Sequence, residues 1–341
     1  MEAARTDGLT VAVTGPTGDI GRPLISALER VDDIATVRGM ARRPFDAAAQ
    51  GWTKTTYVRG DMMDRAAVEE LVRGADVVVH LAFIVFGGHD ETWRVNVEGT
   101  RNVFEATVAA GARRLVYASS VAAYGFNDDA RLPLTEDEPL RPTRKYDYSE
   151  QKAQNEGMLA EIADGRLDTY VLRPCIVGGP ESLALLDDNP YIRIGHQMPD
   201  GLMRGLGRFR RLKPVVPDAG EAVQLVHADD VADAIVAAVL GRGRPGAYNI
   251  AGDGTVSLTD IARELGWYPV NVPRRAMVTA ARGVAALPKA PAEIQFFTNL
   301  VQRSVAMDTS KARTELGWQP RHRAEEVLRQ TVAAARARDG S

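Results

Sequence analysis

Apolar positions along this chain fall into short runs separated by glycine-, proline- or charge-rich breaks. The spacing inside the runs alternates between two kinds. Leu9 to Val13 is a β-branched, strand-like run, and Ile20, Leu24, Ile25 and Leu28 then recur at helical spacing. Further strand patterns cover Ile34–Met40, Thr55–Val58, Asp76–Ala82, Leu115–Ser120 and Thr169–Arg173, with shorter ones at Val223–Val226 and Ala247–Ile250. Helical patterns cover Asn96–Ala110, about Tyr146–Ile162, and Asp230–Leu240 with Asp229 as its cap. Another helix opens at Ser257-Leu258-Thr259-Asp260. Strand alternating with helix predicts an α/β fold with a doubly wound parallel sheet. The near-continuous apolarity of Asp76–Ala82 suits a strand covered on both faces. Residues 127–144 read as a long loop, 182–217 have weak periodicity, and 270–305 read only as weakly helical. No internal repeat is present.

The first strand and helix enclose Thr14-Gly15-Pro16-Thr17-Gly18-Asp19-Ile20-Gly21, the spacing T-G-x-x-G-x-x-G. A strand, a glycine turn and a helix in this order form the context of a dinucleotide site. Gly15 permits the tight turn, Gly18 lets backbone approach a pyrophosphate, and Gly21 lets helix and strand pack closely. The helix N-terminus offers free N–H groups to phosphate. The expected fold is therefore a Rossmann-type sheet built from 1–178 plus 223–252. A smaller C-terminal substrate-binding domain follows from 179–222 plus 253–330, with 331–341 as a charged tail. Ligands in such sheets lie at the carboxyl ends of the strands. That rim holds the glycine turn, Asp61 and Met62, Leu81 and Ala82, Ser119-Ser120 and Pro174. Asp61 could accept from an adenine amino group. The second strand ends in Ala41-Arg42-Arg43-Pro44, without the acid that binds a ribose 2′-hydroxyl. Two arginines there favour NADP over NAD; solvated loop charges are the alternative reading.

Composition adds mainly exclusions. The 341 residues are 45% hydrophobic and 26% charged, enough for a sizeable core. A net charge of −3 gives no general argument for nucleic acid or a membrane surface. The single cysteine, Cys175, excludes an internal disulfide and reads as plain core. Glu2, Arg5 and Asp7 precede any apolar run, and the longest apolar stretch, Val77–Phe86, is too short to span a bilayer. A soluble, cytoplasmic protein acting on a small molecule is expected, with no metal site.

Tyr148 and Lys152 stand four apart on a predicted helix and share a face. A phenol ordinarily ionises near pH 10. A neighbouring ammonium and a positive nicotinamide ring favour the phenolate. Such a tyrosine exchanges a proton with a carbonyl or alcohol oxygen while hydride moves at the adjacent carbon. Ser120, at a strand end, could hold that oxygen.

The chain resembles the extended short-chain dehydrogenase/reductase superfamily, of the NAD-dependent epimerase/dehydratase type. The resemblance rests on T-G-P-T-G-D-I-G (14–21), G-D-M-M-D (60–64), V-V-H-L-A (78–82), N-V-E-G-T-R-N-V-F-E-A (96–106) and V-Y-A-S-S-V-A-A-Y-G (116–125). It continues in Y-S-E-Q-K (148–152), L-R-P (172–174), V-H-A-D-D-V-A (226–232), Y-N-I-A-G (248–252) and D-T-S-K-A-R-T-E-L-G-W-Q-P (308–320). It implies that Gly15, Gly18 and Gly21 hold the pyrophosphate, Asp61 meets adenine, and Ala82 lies beneath the cofactor. It also implies Ser120, Tyr148 and Lys152 as the catalytic set. Lys152 then binds the ribose hydroxyls and Asn96 structures the site. It suggests a homodimer. His227, Asp229 and Asp230 match a family motif and are assigned structural roles.

Three departures narrow the branch. Val121-Ala122 stand where the family's dehydratases carry Asp-Glu. Ile176 stands where nucleotide-sugar epimerases carry an Asn, and Val223 where they carry a diphosphate-binding Arg. The L-R-P form looks more like the steroid dehydrogenase and flavonoid or aldehyde reductase branches. The cluster Arg204, Arg208, Arg210, Arg211 and Lys213 argues the other way, as a possible source of phosphate contacts. The leading expectation is an NADP-preferring oxidoreductase acting at a ketone or secondary alcohol. A UDP-sugar 4-epimerase with bound NAD and a non-catalytic dinucleotide-binding regulator are the alternatives.

Overall fold

A computed structural model describes residues 8–85, 87–127, 129–144, 146–182, 215–285 and 305–339. Strands β1 (Leu9–Thr14), β2 (Ile34–Ala41), β3 (Thr55–Arg59), β4 (Val77–His80), β5 (Arg114–Ala118) and β6 (Asp168–Pro174) join one sheet with β11 (Gly246–Ile250). Its order is β11-β6-β5-β4-β1-β2-β3, and every pairing is parallel. This is the doubly wound sheet the alternation predicts. Its first two crossovers run outward from β1 to β2 and β3, and its third returns across β1 to β4, which opens a crevice between β1 and β4 at their carboxyl ends.

Period-two alternation divides the core between the two faces of the sheet. Val11 and Val13 of β1 pack with Leu24, Ile25 and Leu28 of α1 (Gly21–Glu29). Ile235 and Val239, from the helix Ala228–Val239, complete that cluster. Ala12 faces the other way, toward Val78, Phe104, Leu115, Tyr117, Met158 and Leu159. That second layer holds α2 (Arg65–Val72), α3 (His89–Trp93), α4 (Thr100–Ala109) and α5 (Asp147–Ala163).

A smaller lobe follows. β7 (Ile176–Gly178) pairs with β10 (Leu225–His227), β8 (Val215–Asp218) with β13 (Tyr268–Asn271), and β9 (Ala222–Val223) with β12 (Val256–Ser257). Val223, Leu225, Val256, Ile261, Val327, Leu328 and Val332 form its core. Helix α6 (Ala228–Val239) belongs to the main domain. The lobe carries α7 (Leu258–Glu264), α8 (Arg274–Ala285) and α9 (Ala324–Asp339). Ser257 and Asp260 cap α7 reciprocally. The basic cluster Arg204–Lys213 lies outside the described residues. Among the described residues no helix is long and apolar enough to cross a membrane.

Three local expectations are corrected. The helix expected from Asn96 starts at His89 and passes through a π-helical turn, Arg94–Gly99, before α4. Its first turns carry Asp90, Glu91 and Arg94, which blur the apolar period. The cap of α6 is His227 rather than Asp229: its Nδ1 accepts the Asp229 N–H at 3.1 Å, with Asp229 and Asp230 in the first turn. An imidazole nitrogen does the work usually read from Ser, Thr, Asp or Asn. Residues 331–339 are no tail but the second half of α9, where Val332 is buried and Thr331 accepts the Gly179 N–H at 2.8 Å.

Candidate active site

The glycine turn is shaped by contacts that exclude side chains. Gly15 has φ +75° and accepts no substituent: a Cβ there would stand 2.9 Å from the Ala82 nitrogen. A Cβ on Gly21 would stand 2.2 Å from the Gly15 carbonyl oxygen. Gly18 differs, since its nearest atom would be that same oxygen at 3.6 Å. Protein packing requires glycine at 15 and 21, while Gly18 opens onto free space. The N-terminus of α1 has no side-chain cap and no acid in its first turn. An open glycine before an uncapped helix N-terminus fits a dinucleotide pyrophosphate. Thr17 and Ile20 flank the turn. Asp19 accepts from the Ser182 hydroxyl at 3.1 Å, and Glu181 pairs with Arg22 at 3.2 Å. The residues after β7 thus fasten to the start of α1.

Thr14 ties the turn to β4. Its hydroxyl oxygen accepts the Ala82 N–H at 3.3 Å and lies 2.6 Å from His80 Nδ1. With Ala82 donating, the hydroxyl proton points at Nδ1. His80 Nε2–H then donates to Thr100 Oγ1 at 2.9 Å. Burial, with the Lys152 charge second, pushes the His80 pKa down to about 3, so the ring stays neutral. His80 is a strut under the turn.

The residues expected to meet adenine and ribose also lie at the rim. Arg42 and Arg43 follow β2, with exposed side chains. Their carbonyls are held from β3: Arg59 Nε donates to Arg42 O at 3.0 Å, and the Tyr57 hydroxyl donates to Arg43 O. Asp61 lies just past β3 and accepts the Met63 N–H at 3.0 Å. Met62, also expected at the rim, has a buried side chain that fills the space beside Gly99. Leu81 N–H donates to Thr14 O at 3.2 Å, and Pro174 closes β6 opposite Ile250.

The residues expected as the acid/base set lie where three consecutive residues, 118–120, face one stripe of α5. Ala118 O accepts from Lys152 Nζ at 2.7 Å. Ser119 Oγ donates to Glu156 Oε1 at 2.5 Å. The Ser120 hydroxyl hydrogen-bonds the Tyr148 phenol and also accepts the Ala122 N–H at 3.2 Å. Tyr148, Lys152 and Glu156 are spaced four apart, so the strand end and the helix mesh residue by residue. Burial raises the Tyr148 pKa, and the Ser120 hydrogen bond works against that rise. Burial lowers the Lys152 pKa to about 7, and the Glu156 charge opposes it. The Lys152 ammonium does not contact the phenol oxygen as a partner; its polar contact is the Ala118 carbonyl, with the Phe83 ring face 3.8 Å away.

Asn96 is held by the protein's own polar groups. It sits in the π-helical turn, fully buried. Its amide oxygen accepts the Ile84 N–H at 2.8 Å, and its nitrogen donates to Ile84 O at 2.7 Å and Gln151 Oε1 at 2.8 Å. It braces the segment after β4 against α5.

A sequence profile of the NAD dependent epimerase/dehydratase family matches residues 11–251. The chain belongs to that family. A relative from Methylococcus capsulatus, sterol demethylase protein B, is 28% identical over 333 residues, which is 92% of this chain and 94% of that one. Solved structures share the fold. One is a short-chain dehydrogenase/reductase superfamily protein from Agrobacterium tumefaciens with bound NAD (TM-score 0.70, 24% identity, 97% and 98% of the two chains covered). Another is a UDP-glucuronic acid 4-epimerase from Bacillus cereus in complex with NAD (0.70, 19%, 96% and 99%).

Sequence reasoning missed the polar network behind this family member's acid/base set. Glu156, beside Ser119, receives Arg173 Nη2 at 2.6 Å and Nε at 3.1 Å, with both side chains 7% exposed. Burial opposes the Arg173 charge, and Glu156 more than restores it. Arg173 Nη1 donates to the Tyr124 hydroxyl at 2.7 Å, and that hydroxyl donates to Asn249 Oδ1 at 2.8 Å. The available signal was helical spacing: Glu156 is the next step after Tyr148 and Lys152. Ile176 is half-buried in β7, and Val223 lies in the lobe's core opposite Val256.

Proposed function

We propose that the protein is an NADP-preferring oxidoreductase acting at a ketone or secondary alcohol carbon of an uncharged, apolar small molecule. One observation carries this reading: the Ser120 hydroxyl and Tyr148 phenol meet at the end of β5, against Phe83, the residue that follows the glycine turn's partner Ala82. Ala82 abuts Gly15, and Phe83 abuts Tyr148 with ring centroids 5.4 Å apart. A dinucleotide seated on Gly18 therefore reaches the phenol along residues 82–83. A bound nicotinamide supplies or accepts the hydride. The chain's part is protonic. Tyr148 holds its proton, because burial raises its pKa, and delivers it to the substrate oxygen. Ser120 orients that oxygen. A phenol kept protonated favours reduction as the working direction at neutral pH.

Among the described residues, the cations and the positions where a diphosphate would need them support the substrate class. A buried diphosphate needs paired cations. Arg173 is consumed by Glu156, and positions 176 and 223 carry packed apolar residues. Phe83 and Tyr146 add aromatic surface beside Tyr148. The relative named for sterol demethylation supports the same class. Arg42 and Arg43, exposed and with no acid beside them at the end of β2, support a 2′-phosphate at the ribose.

The test measures NADPH and NADH oxidation with cyclic and sterol ketones, and interconversion of UDP-sugars without net redox. Ketone turnover with NADPH is expected, and Tyr148→Phe should lower kcat by roughly 10²–10⁴-fold. Equal rates in the variant, or epimerisation in place of ketone reduction, would overturn the proposal.

A further inference from the structure

We propose that Phe83 is a positioning residue for the acid/base set: its ring face holds the Lys152 ammonium beside Tyr148 and shields it from water. Lys152 Nζ lies 3.8 Å from the Phe83 ring centroid, against 5.1 Å from Tyr117 and 5.8 Å from Tyr148. The same Phe83 ring stands edge-to-face on Tyr148, at 84°. One ring thus touches both functional side chains of α5, which do not hydrogen-bond each other.

The ring's position is imposed by its backbone neighbours. Ala82 N–H is fixed to Thr14, and both polar backbone groups of Ile84 are fixed to Asn96. Phe83 is the residue between two clamps. Lys152 is 4% exposed, with the Ala118 carbonyl as its hydrogen-bond acceptor. An ammonium in such a place needs compensation, and an aromatic face at this distance supplies it electrostatically without water. The titratable groups around Nζ are Tyr148 and Glu156 on its own helix, Tyr117 on β5 and His80 on β4. Glu156 is shared with Arg173, so it neutralises Lys152 only in part. Beside the Ala118 carbonyl, Phe83 is the nearest aromatic face that favours the charged lysine without drawing on that carboxylate.

The experiment titrates Lys152 Nζ by ¹⁵N-lysine NMR in the cofactor-free full chain. The protein contains six lysines, and Lys152→Met assigns the signal. Phe83→Leu keeps the ring's apolar bulk but removes the π face, whereas Phe83→Tyr keeps the face. The wild-type midpoint is expected near 7. In Phe83→Leu it should fall by about 0.4–1.5 pH units, and in Phe83→Tyr it should stay in place. Phe83→Met serves in the same role if Phe83→Leu does not fold. An unchanged or raised midpoint in the leucine or methionine variant overturns the inference. The catalytic arm rests on the oxidoreductase reading: the alkaline limb of kcat/KM for ketone reduction should move down with the NMR midpoint. The NMR arm needs no substrate, so failure to find a ketone substrate leaves the inference standing or falling on the titration alone.

Discussion

A Cβ at Gly21 would collide with the Gly15 carbonyl oxygen at 2.2 Å, while a Cβ at Gly18 would meet ordinary contact at 3.6 Å. The two glycines therefore answer to different demands, one to folding and the other to a ligand. Gly21→Ala should destabilise the protein by about 1–3 kcal/mol or more, because the colliding atom is backbone and cannot rotate away. Gly18→Ala should change stability by no more than about 0.5 kcal/mol. It should still weaken NADPH binding by about tenfold or more, through loss of close approach to the pyrophosphate. Urea denaturation and cofactor titration of both variants check the contrast; comparable stability losses at the two positions would remove the ligand argument for Gly18. At the same scale, the side chains of Asn96 and Met62 are engaged within the protein itself.

At the scale of elements, the site is the meshing of residues 118–120 with α5. The pattern Tyr148, Lys152 was legible because a four-residue step marks one helix face. The third step, Glu156, was not, since a glutamate on a helix ordinarily signals a solvated face. Its partner Arg173 lies in β6, seventeen residues on, and a sequence gives no warning that the two share a buried layer. The start of α3 was hidden for the opposite reason: its polar first turns show no apolar period, and it is ordered by neighbours such as Gln151, whose amide donates to Thr92 at 3.1 Å. Breaking the buried ion pair from one side leaves an uncompensated charge. Glu156→Gln should cost about 3–5 kcal/mol. Ser119→Ala should cost about 1 kcal/mol, as the loss of one hydrogen bond. The double variant Glu156→Gln/Arg173→Met should recover much of the first loss, because no unpaired guanidinium remains. The order of urea midpoints across these three variants tests the assignment, and a double variant weaker than Glu156→Gln would contradict it.

For the whole molecule, the order of strands and helices was readable because each βα unit carries its own period, turn and cap, and local signals agree with the parallel sheet. The smaller lobe was less readable, since its strands are two to four residues long and pair across large sequence separations. What no local signal could show is the set of ionisable groups that the assembled core removes from water, and these set how stability depends on pH. His80 is fully buried with its pKa lowered to about 3, and Lys152 is buried with its pKa lowered to about 7. For each, the unfolded chain binds more protons than the folded one between the lowered value and the ordinary one. Stability therefore rises with pH across that window. His80 gives a rise from about pH 3 to 6.5, and Lys152 a second rise from about pH 7 to 10.5, each on the order of 4 kcal/mol. Above about pH 10 the buried Tyr117 and Tyr146 and the half-buried Tyr148, whose pKa values desolvation raises, reverse the slope, because only the unfolded chain then ionises them. Maximal stability should therefore fall on the alkaline side, near pH 9–10, rather than at neutrality. Lys152→Met should abolish the rise above pH 7 and keep the one below it, since a neutral side chain has no proton to release. Urea midpoints at pH 5, 7, 9 and 11 for the two proteins decide the matter: a wild-type profile flat between pH 7 and 9 would show that Lys152 is not held in the dry site described above.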